Sequence, residues 1–176
     1  MKNEVKKRIR VMSAVICTCL LVSLCPVQAQ ASSVPSSVVI ITTIISNAES
    51  RLGCQYVWGS RGPDTFDCSG LAYYCYKLAG VTISKTNAYS QKKGLQENGC
   101  LVANNNKQVS YLIFYNVGTN APTLGIGHVS IYMGSHLGVL SIIEAEGANV
   151  HWSAASAYSS DKVVAVCRPC NWFYTA

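Results

Sequence analysis

Charge is scarce in this 176-residue chain: 12% of residues are Asp, Glu, Lys or Arg, against 49% hydrophobic. That balance excludes a disordered polar chain. Acids are the scarcest, eight in all, and the net charge of +6 would by itself suggest a polyanionic partner. Its distribution argues against one. Lys2, Lys6, Lys7, Arg8 and Arg10, with the single acid Glu4, fall in residues 1–30, and nine basic and seven acidic residues share the rest. Scattered Lys and Arg leave no electrostatic footprint for DNA or RNA, so no nucleic-acid partner is expected. Internal repeats and low-complexity tracts are missing, and no separate wall-binding module is visible. Cys167 and Cys170 form a Cys-x-x-Cys, but no second pair or His couple stands at zinc-finger spacing, and the motif lies too late for a redox βαβ unit. No metal or organic cofactor is implied.

What is present begins with the basic cluster, which runs into an apolar stretch over residues 11–27. Ala29-Gln30-Ala31 then places small residues where a signal peptidase reads. Residues 1–31 are therefore expected to be a secretory signal peptide and 32–38 a short linker. Residues 39–176 are expected to form a single domain, long enough for one core. An uncleaved anchor is the alternative, since 17 apolar-stretch residues are borderline for spanning. Leu24 before Cys25 is too bulky for a lipobox. After cleavage the protein has no expected stable membrane insertion, and six cysteines remain: Cys54, Cys68, Cys75, Cys100, Cys167 and Cys170. Exported chains commonly pair such cysteines. If one is a nucleophile the other five cannot all pair, and the pairing among them stays open.

Hydrophobic spacing predicts helices over residues 38–52, closed by Gly53, and over residues 67–79, closed by Gly80. A short third helix over 87–93 is expected to end at Gly94. Strands are expected over 109–115, 128–133, 139–145 and 163–168. Helices first and an antiparallel sheet afterwards make the fold α+β.

One segment looks arranged for chemistry. In Phe66-Asp67-Cys68-Ser69-Gly70, Cys68 falls in the first turn of a predicted helix, where unpaired N–H groups and the helix dipole favour thiolate over thiol. Such a sulfur is a good nucleophile if a base lies nearby; a buried structural Cys is the alternative. His128 opens a strand whose polar face also carries Ser130 and Tyr132. A hairpin turn centred on His136 sets Glu144 directly opposite His128, with β-carbons about 4.5–5.5 Å apart. A carboxylate there fixes the imidazole tautomer and stabilises imidazolium. A register slip of two would put Glu146 in that place. His136 is read as a turn residue and His151 as a surface one, Trp58, Trp152 and Trp172 as packing, and Arg61 as facing either a substrate carboxylate or solvent.

Tyr56-Val57-Trp58-Gly59, Asp67-Cys68-Ser69-Gly70-Leu71, Gly80-Val81 and Gly127-His128-Val129-Ser130-Ile131-Tyr132, in this order and spacing, resemble the NlpC family of cell-wall cysteine peptidases. The resemblance spans roughly residues 39–168. It implies a papain-like α+β fold, with N-terminal helices carrying the nucleophile packed on an antiparallel sheet carrying the base. By the same resemblance Cys68 is the nucleophile and His128 the base, and Glu144 takes the third position, most often His. Tyr56 lines the cleft near the oxyanion, and Asp67 and Ser69 help hold a stem peptide's free amine. Two departures stand out. Val109-Ser110-Tyr111 replaces the family's Pro-Gly-Asp turn, and the stretch from His128 to Glu144 is a few residues longer than usual.

The function implied is a secreted cysteine endopeptidase that hydrolyses peptidoglycan stem peptides after D-glutamate through a Cys thioester. Its partner is the stem peptide and its place the bacterial cell wall. The alternatives are a Cys-dependent wall amidase, a stem-peptide acyltransferase, or a non-catalytic cell-surface binding protein on the same fold. Oligomeric state is not legible in the sequence.

Overall fold

A computed structural model describes residues 37–118 and 125–170. The expected signal peptide lies outside the described residues. Among these residues no helix is long and apolar enough to cross a membrane.

Helix α1 (Ser37–Glu49) buries Ile40, Ile44 and Ala48, one residue per turn on a single stripe. It starts two residues inside the stretch read as linker. The chain then makes strands β1 (Gln55–Tyr56) and β2 (Thr65–Phe66), which pair in parallel. Helix α2 (Cys68–Leu78) buries Leu71, Ala72, Cys75 and Tyr76. Helix α3 (Ala88–Glu97) starts at the Asn87 cap, whose side chain accepts from Ser90 N at 2.8 Å. It does not stop at Gly94 as expected. Gly94 meets open space where a Cβ would stand, and the left-handed residue that ends the helix is Gly99, at φ 66°.

Strands β3 (Leu101–Val102), β4 (Leu112–Tyr115), β5 (His128–His136), β6 (Val139–Glu146), β7 (Asn149–Ala154) and β8 (Val163–Cys167) complete one eight-stranded sheet. Its order is β2-β1-β7-β6-β5-β4-β8-β3, and every pairing but β1–β2 is antiparallel. The expected α+β class holds. One face of the sheet sends Leu112, Phe114, Val129, Ile131, Ile143 and Ala145 into the same core as the three helices. Each of these side chains larger than alanine contributes about 1.5–3 kcal/mol on full burial. The other face carries a smaller cluster of Ile113, Tyr115, Tyr132, Ile142 and Val166.

Two expectations about strands need correction. β4 begins at Leu112, because Ser110 just before it sits at φ 78° and breaks the extended run. The β5–β6 turn is the pair Leu137–Gly138, at φ 50° and 82°, the positive angles a two-residue hairpin demands. It is therefore not centred on His136. β7 was not anticipated, since its alternation is masked by the polar and small residues at its ends.

Of the cysteines, Cys100 and Cys170 form a disulfide across a sequence separation of 70, while Cys54, Cys68, Cys75 and Cys167 are free thiols. Closing a loop of that length stabilises the fold by roughly 4 kcal/mol on chain-entropy grounds.

Candidate active site

The Cys68 end is built from local backbone. Asp67 is extended (φ −94°, ψ 177°) and caps α2, its Oδ1 accepting from Gly70 N at 2.6 Å and from the Ser69 hydroxyl at 2.9 Å. Its Oδ2 accepts from Gly59 N at 2.9 Å, so one carboxylate ties the Trp58–Ser60 loop to the first turn of the helix. Gly70 lets the two meet: a Cβ there would stand 1.9 Å from the Ser60 carbonyl oxygen. From the other side, the buried Gln91 donates through Nε2 to the Ser69 carbonyl at 2.8 Å. Cys68 is thus the first helical residue, half-buried and free, and it opens on a cleft of about 250 Å³ that Trp58, Arg61, Tyr89 and Gly127 also line.

The His128 end is built from the sheet. His128 is the first residue of β5, pairs with Tyr115 of β4, and is 5% exposed. Its Nε2 lies 2.7 Å from Oε2 of Glu144, itself 1% exposed. Cys68 is near enough to act on the ring as well. Burial pulls the imidazole pKa down, but the hydrogen bonds and charges of Cys68 and Glu144 outweigh it and raise the pKa to about 10. Burial likewise works to raise Glu144, yet hydrogen bonds from His128, Ser153 and Tyr158 hold it below the ordinary value.

Glu144 reaches His128 by a route other than the expected one. The observed pairs are Ile131–Ile143 and Tyr132–Ile142, then Gly134–Ser141 and His136–Val139, with an irregularity between Tyr132 and Gly134. Carried towards His128, this register sets Ser130 level with Glu144 and His128 level with Glu146. The offset is two residues from the symmetric hairpin, because the turn centre moved and Met133 is bulged. Even so, it is Glu144, the diagonal neighbour on the same face, that bonds the imidazole. Glu146 is exposed and accepts from the Tyr158 hydroxyl at 2.8 Å.

Tyr56 on β1 is close enough to Cys68 for charge there to act on it. Burial first, then Cys68, Asp67 and Glu146, raise its pKa, so the phenol stays a hydrogen-bond donor. Asp67 and Ser69 are both buried beside Cys68 and bonded to each other. Arg61 is anchored through Nε to the Lys85 carbonyl at the cleft rim. His136 is the last residue of β5 and stacks on Trp152, ring centroids 4.1 Å apart. His151 pairs across from Glu144, half-buried, with Nε2 at 3.9 Å from Oε1. Glu144, Glu146 and His151 present ligand atoms within 4.8 Å of one another. Glu144 Oε2 is already engaged by His128 and Tyr158, and we read the group as the acidic end of the Cys68–His128 pair.

Two further tyrosines stand beside His128. Tyr115 packs 5.9 Å from His128 between ring centroids and joins its hydroxyl to Ser130 at 3.1 Å. Tyr158 lies 5.4 Å from His128 and 4.4 Å from Tyr115, and its hydroxyl donates towards Glu144 at 3.1 Å. Tyr115 had a signal, an aromatic with a polar atom closing an apolar strand. Tyr158 had none, because it follows β7 in an irregular segment and meets the site only through the fold.

A profile of the NlpC/P60 family matches residues 53–168. "Probable endopeptidase p60" of Listeria grayi is 34% identical over 99 residues, which make 56% of this chain and 17% of that protein. The chain therefore spans about a sixth of the length of the curated relatives it matches there. The structure of the peptidoglycan hydrolase RipB from Mycobacterium tuberculosis superposes with a TM-score of 0.59 at 26% identity, covering 80% of this chain and 71% of RipB. RipD from the same organism, described as a non-catalytic NlpC/p60 domain protein, shares the fold at TM-score 0.55 and 23% identity, over 73% of this chain and 96% of RipD. The chain belongs to the NlpC/P60 family.

Proposed function

We propose that this NlpC/P60 domain is a cysteine endopeptidase of peptidoglycan stem peptides, cutting after D-glutamate. In the same reading residues 1–31 export the protein to the cell wall, 32–38 form a linker, and 39–176 form the catalytic domain. The observation that supports it most is His128, a buried imidazole that lies 2.7 Å from the Glu144 carboxylate and whose pKa Cys68 and Glu144 together raise against burial. A binding domain gains nothing from burying that group between those two partners.

The chemistry follows from the placement. Glu144 accepts at Nε2, which turns Nδ1 towards sulfur and sets the direction of proton transfer. The Cys68 sulfur attacks the amide carbonyl while the thiol proton rests on His128. Charge developing on the carbonyl oxygen meets the Cys68 N–H, which has no intrahelical partner at this position, and the Tyr56 hydroxyl. Collapse of the tetrahedral species breaks the C–N bond, and the leaving amine takes the proton from His128. The thioester left behind is attacked by water, which passes a proton to His128. The C–S bond then breaks, the product leaves as a carboxylic acid that ionises in solvent, and sulfur recovers the proton from His128. In this reading Asp67 and Ser69 form the wall that meets the substrate's free amine.

The decisive comparison is the protein from Ser32 onward against its Cys68→Ala variant on purified peptidoglycan, with products mapped by mass spectrometry. We expect cuts between D-glutamate and the next stem residue, and none in the variant. Release at the sugar–peptide amide would instead make the protein an amidase, and transfer to an amine an acyltransferase. No cut at all, with a Cys68 thiol titrating near the ordinary 8.5, would leave a binding protein.

A further inference from the structure

The Tyr158 hydroxyl lies 3.1 Å from Glu144 Oε2, the same oxygen that receives His128, and 2.8 Å from Glu146 Oε2. A phenol carries one proton, so this is a shared bond between two carboxylates, one buried and one exposed. The Tyr158 ring meanwhile stands 5.4 Å from the His128 ring and 4.4 Å from that of Tyr115. Tyr158 is therefore in contact with both members of the pair that orient the nucleophile, although it touches neither sulfur nor the cleft. We propose that Tyr158 is a positioning residue of the active site: its hydroxyl pins Glu144, and its ring backs the imidazole, so that His128 keeps facing Cys68. This role rests on the catalytic set proposed above.

The surroundings make the hydroxyl consequential. Glu144 meets His128 from β5 and His151 from β7, the latter at 3.9 Å, and Ser153 of β7 helps hold its pKa down. Among these the bonds from His128 and Tyr158 converge on one oxygen, which leaves the carboxylate little freedom to rotate. The nearby carboxylates push the Tyr158 pKa upward in addition to burial, so the group remains a donor across the working pH range. Tyr158 helps hold the Glu144 pKa down, so its removal should let that pKa rise.

The test is Tyr158→Phe, which deletes the oxygen and keeps the ring, beside Tyr158→Leu, which deletes both. Glu144 is titrated directly by carbon-13 NMR of labelled glutamate, without substrate. We expect its midpoint to move to higher pH in Tyr158→Phe, with kcat reduced about tenfold and KM unchanged, and a larger kcat loss in Tyr158→Leu. Glu146→Gln, which leaves the phenol proton to Glu144 alone, should not raise that midpoint. Thermal melting run alongside separates positioning from folding. An unchanged Glu144 midpoint and a kcat within twofold of the parent in Tyr158→Phe would overturn the proposal, as would a loss carried by KM alone. If the parent protein cuts no peptidoglycan, the functional reading fails, and the NMR titration still decides whether Tyr158 holds Glu144.

Discussion

The two halves of the site are held in different ways. Around Cys68 the work is done by short-range backbone geometry: a cap, a glycine contact and one glutamine amide, with Asp67 and Gly70 within three residues of the sulfur. Around His128 it is done by side chains from β4, β5, β6, β7 and the segment that carries Tyr158. The first arrangement resists displacement by sterics, and the second by electrostatics. Perturbing the first should therefore change rate and stability with little dependence on pH, whereas perturbing the second should leave a signature in pH.

The sharpest way to break the first half is Gly70→Ala. The new methyl would meet the Ser60 carbonyl at 1.9 Å, a backbone atom that cannot swing aside as a side chain can. Either the loop or the helix start must move, and with it the sulfur. We expect a loss of about 3 kcal/mol or more in urea unfolding, together with loss of turnover at every pH. A variant of near-parental stability would show that the loop is not clamped there.

In the second half, Glu144→Gln keeps an acceptor but removes the charge. The expected cost is on the order of 3 kcal/mol near pH 6, with kcat down about a hundredfold. The sign with pH is fixed by the two shifts. His128 is raised to about 10, so its contribution is complete below the ordinary histidine value of about 6.5 and lost as pH rises through 10. Glu144 is lowered, so its contribution is present above the ordinary carboxylate value and lost as pH falls through its own. The stability gap between parent and variant should thus be widest near pH 5–6.5 and close towards pH 10. Denaturation midpoints across that range measure it, and a gap that stays constant with pH would contradict the electrostatic account.

This contrast also explains what could be read from the sequence. The Cys68 end was legible because a cap, a first-turn cysteine and a stop glycine all lie between Asp67 and Gly80. Helix α2 was expected over 67–79 and occupies Cys68–Leu78. The base end was half legible. Strand alternation put His128 and Glu144 on one face, but their register depends on where a turn centres and where a strand bulges. Leu137 in the left-handed region and the irregularity after Tyr132 leave little trace in side-chain patterning. Glu144 was reached because two shifts of register still leave the two residues diagonal neighbours. Tyr158, with no local pattern at all, was out of reach, and so was the pairing of Cys100 with Cys170.

A smaller test of the first half is Asp67→Ala. It removes the cap and the tie to Gly59 together, three hydrogen bonds on one carboxylate. We expect a loss of about 1–2 kcal/mol, mostly from the cap. Asp67→Asn should recover part of it, since an amide oxygen still accepts from Gly70 N. Equal losses in the two variants would mean that charge, rather than capping geometry, is what the helix start requires.

The smallest effect has the opposite sign and concerns the bend before β4. Ser110 is buried at φ 78°, where its carbonyl accepts from the Tyr76 hydroxyl at 2.7 Å and its N–H donates to the Tyr132 carbonyl at 2.8 Å. Its own hydroxyl is buried without a partner. Serine thus keeps a left-handed backbone that glycine favours, at a cost of about 1–2 kcal/mol. The hydrogen bonds from α2 and β5 hold it in place. Ser110→Gly relieves the backbone strain and the orphaned hydroxyl, against the greater chain entropy glycine loses on folding. We expect a net gain of about 0.5–1 kcal/mol with kcat unchanged, read as a higher urea midpoint. Ser110→Ala, which keeps the strain and removes only the hydroxyl, should gain less. If alanine stabilises as much as glycine, the unpaired oxygen rather than the left-handed backbone is the source of the penalty.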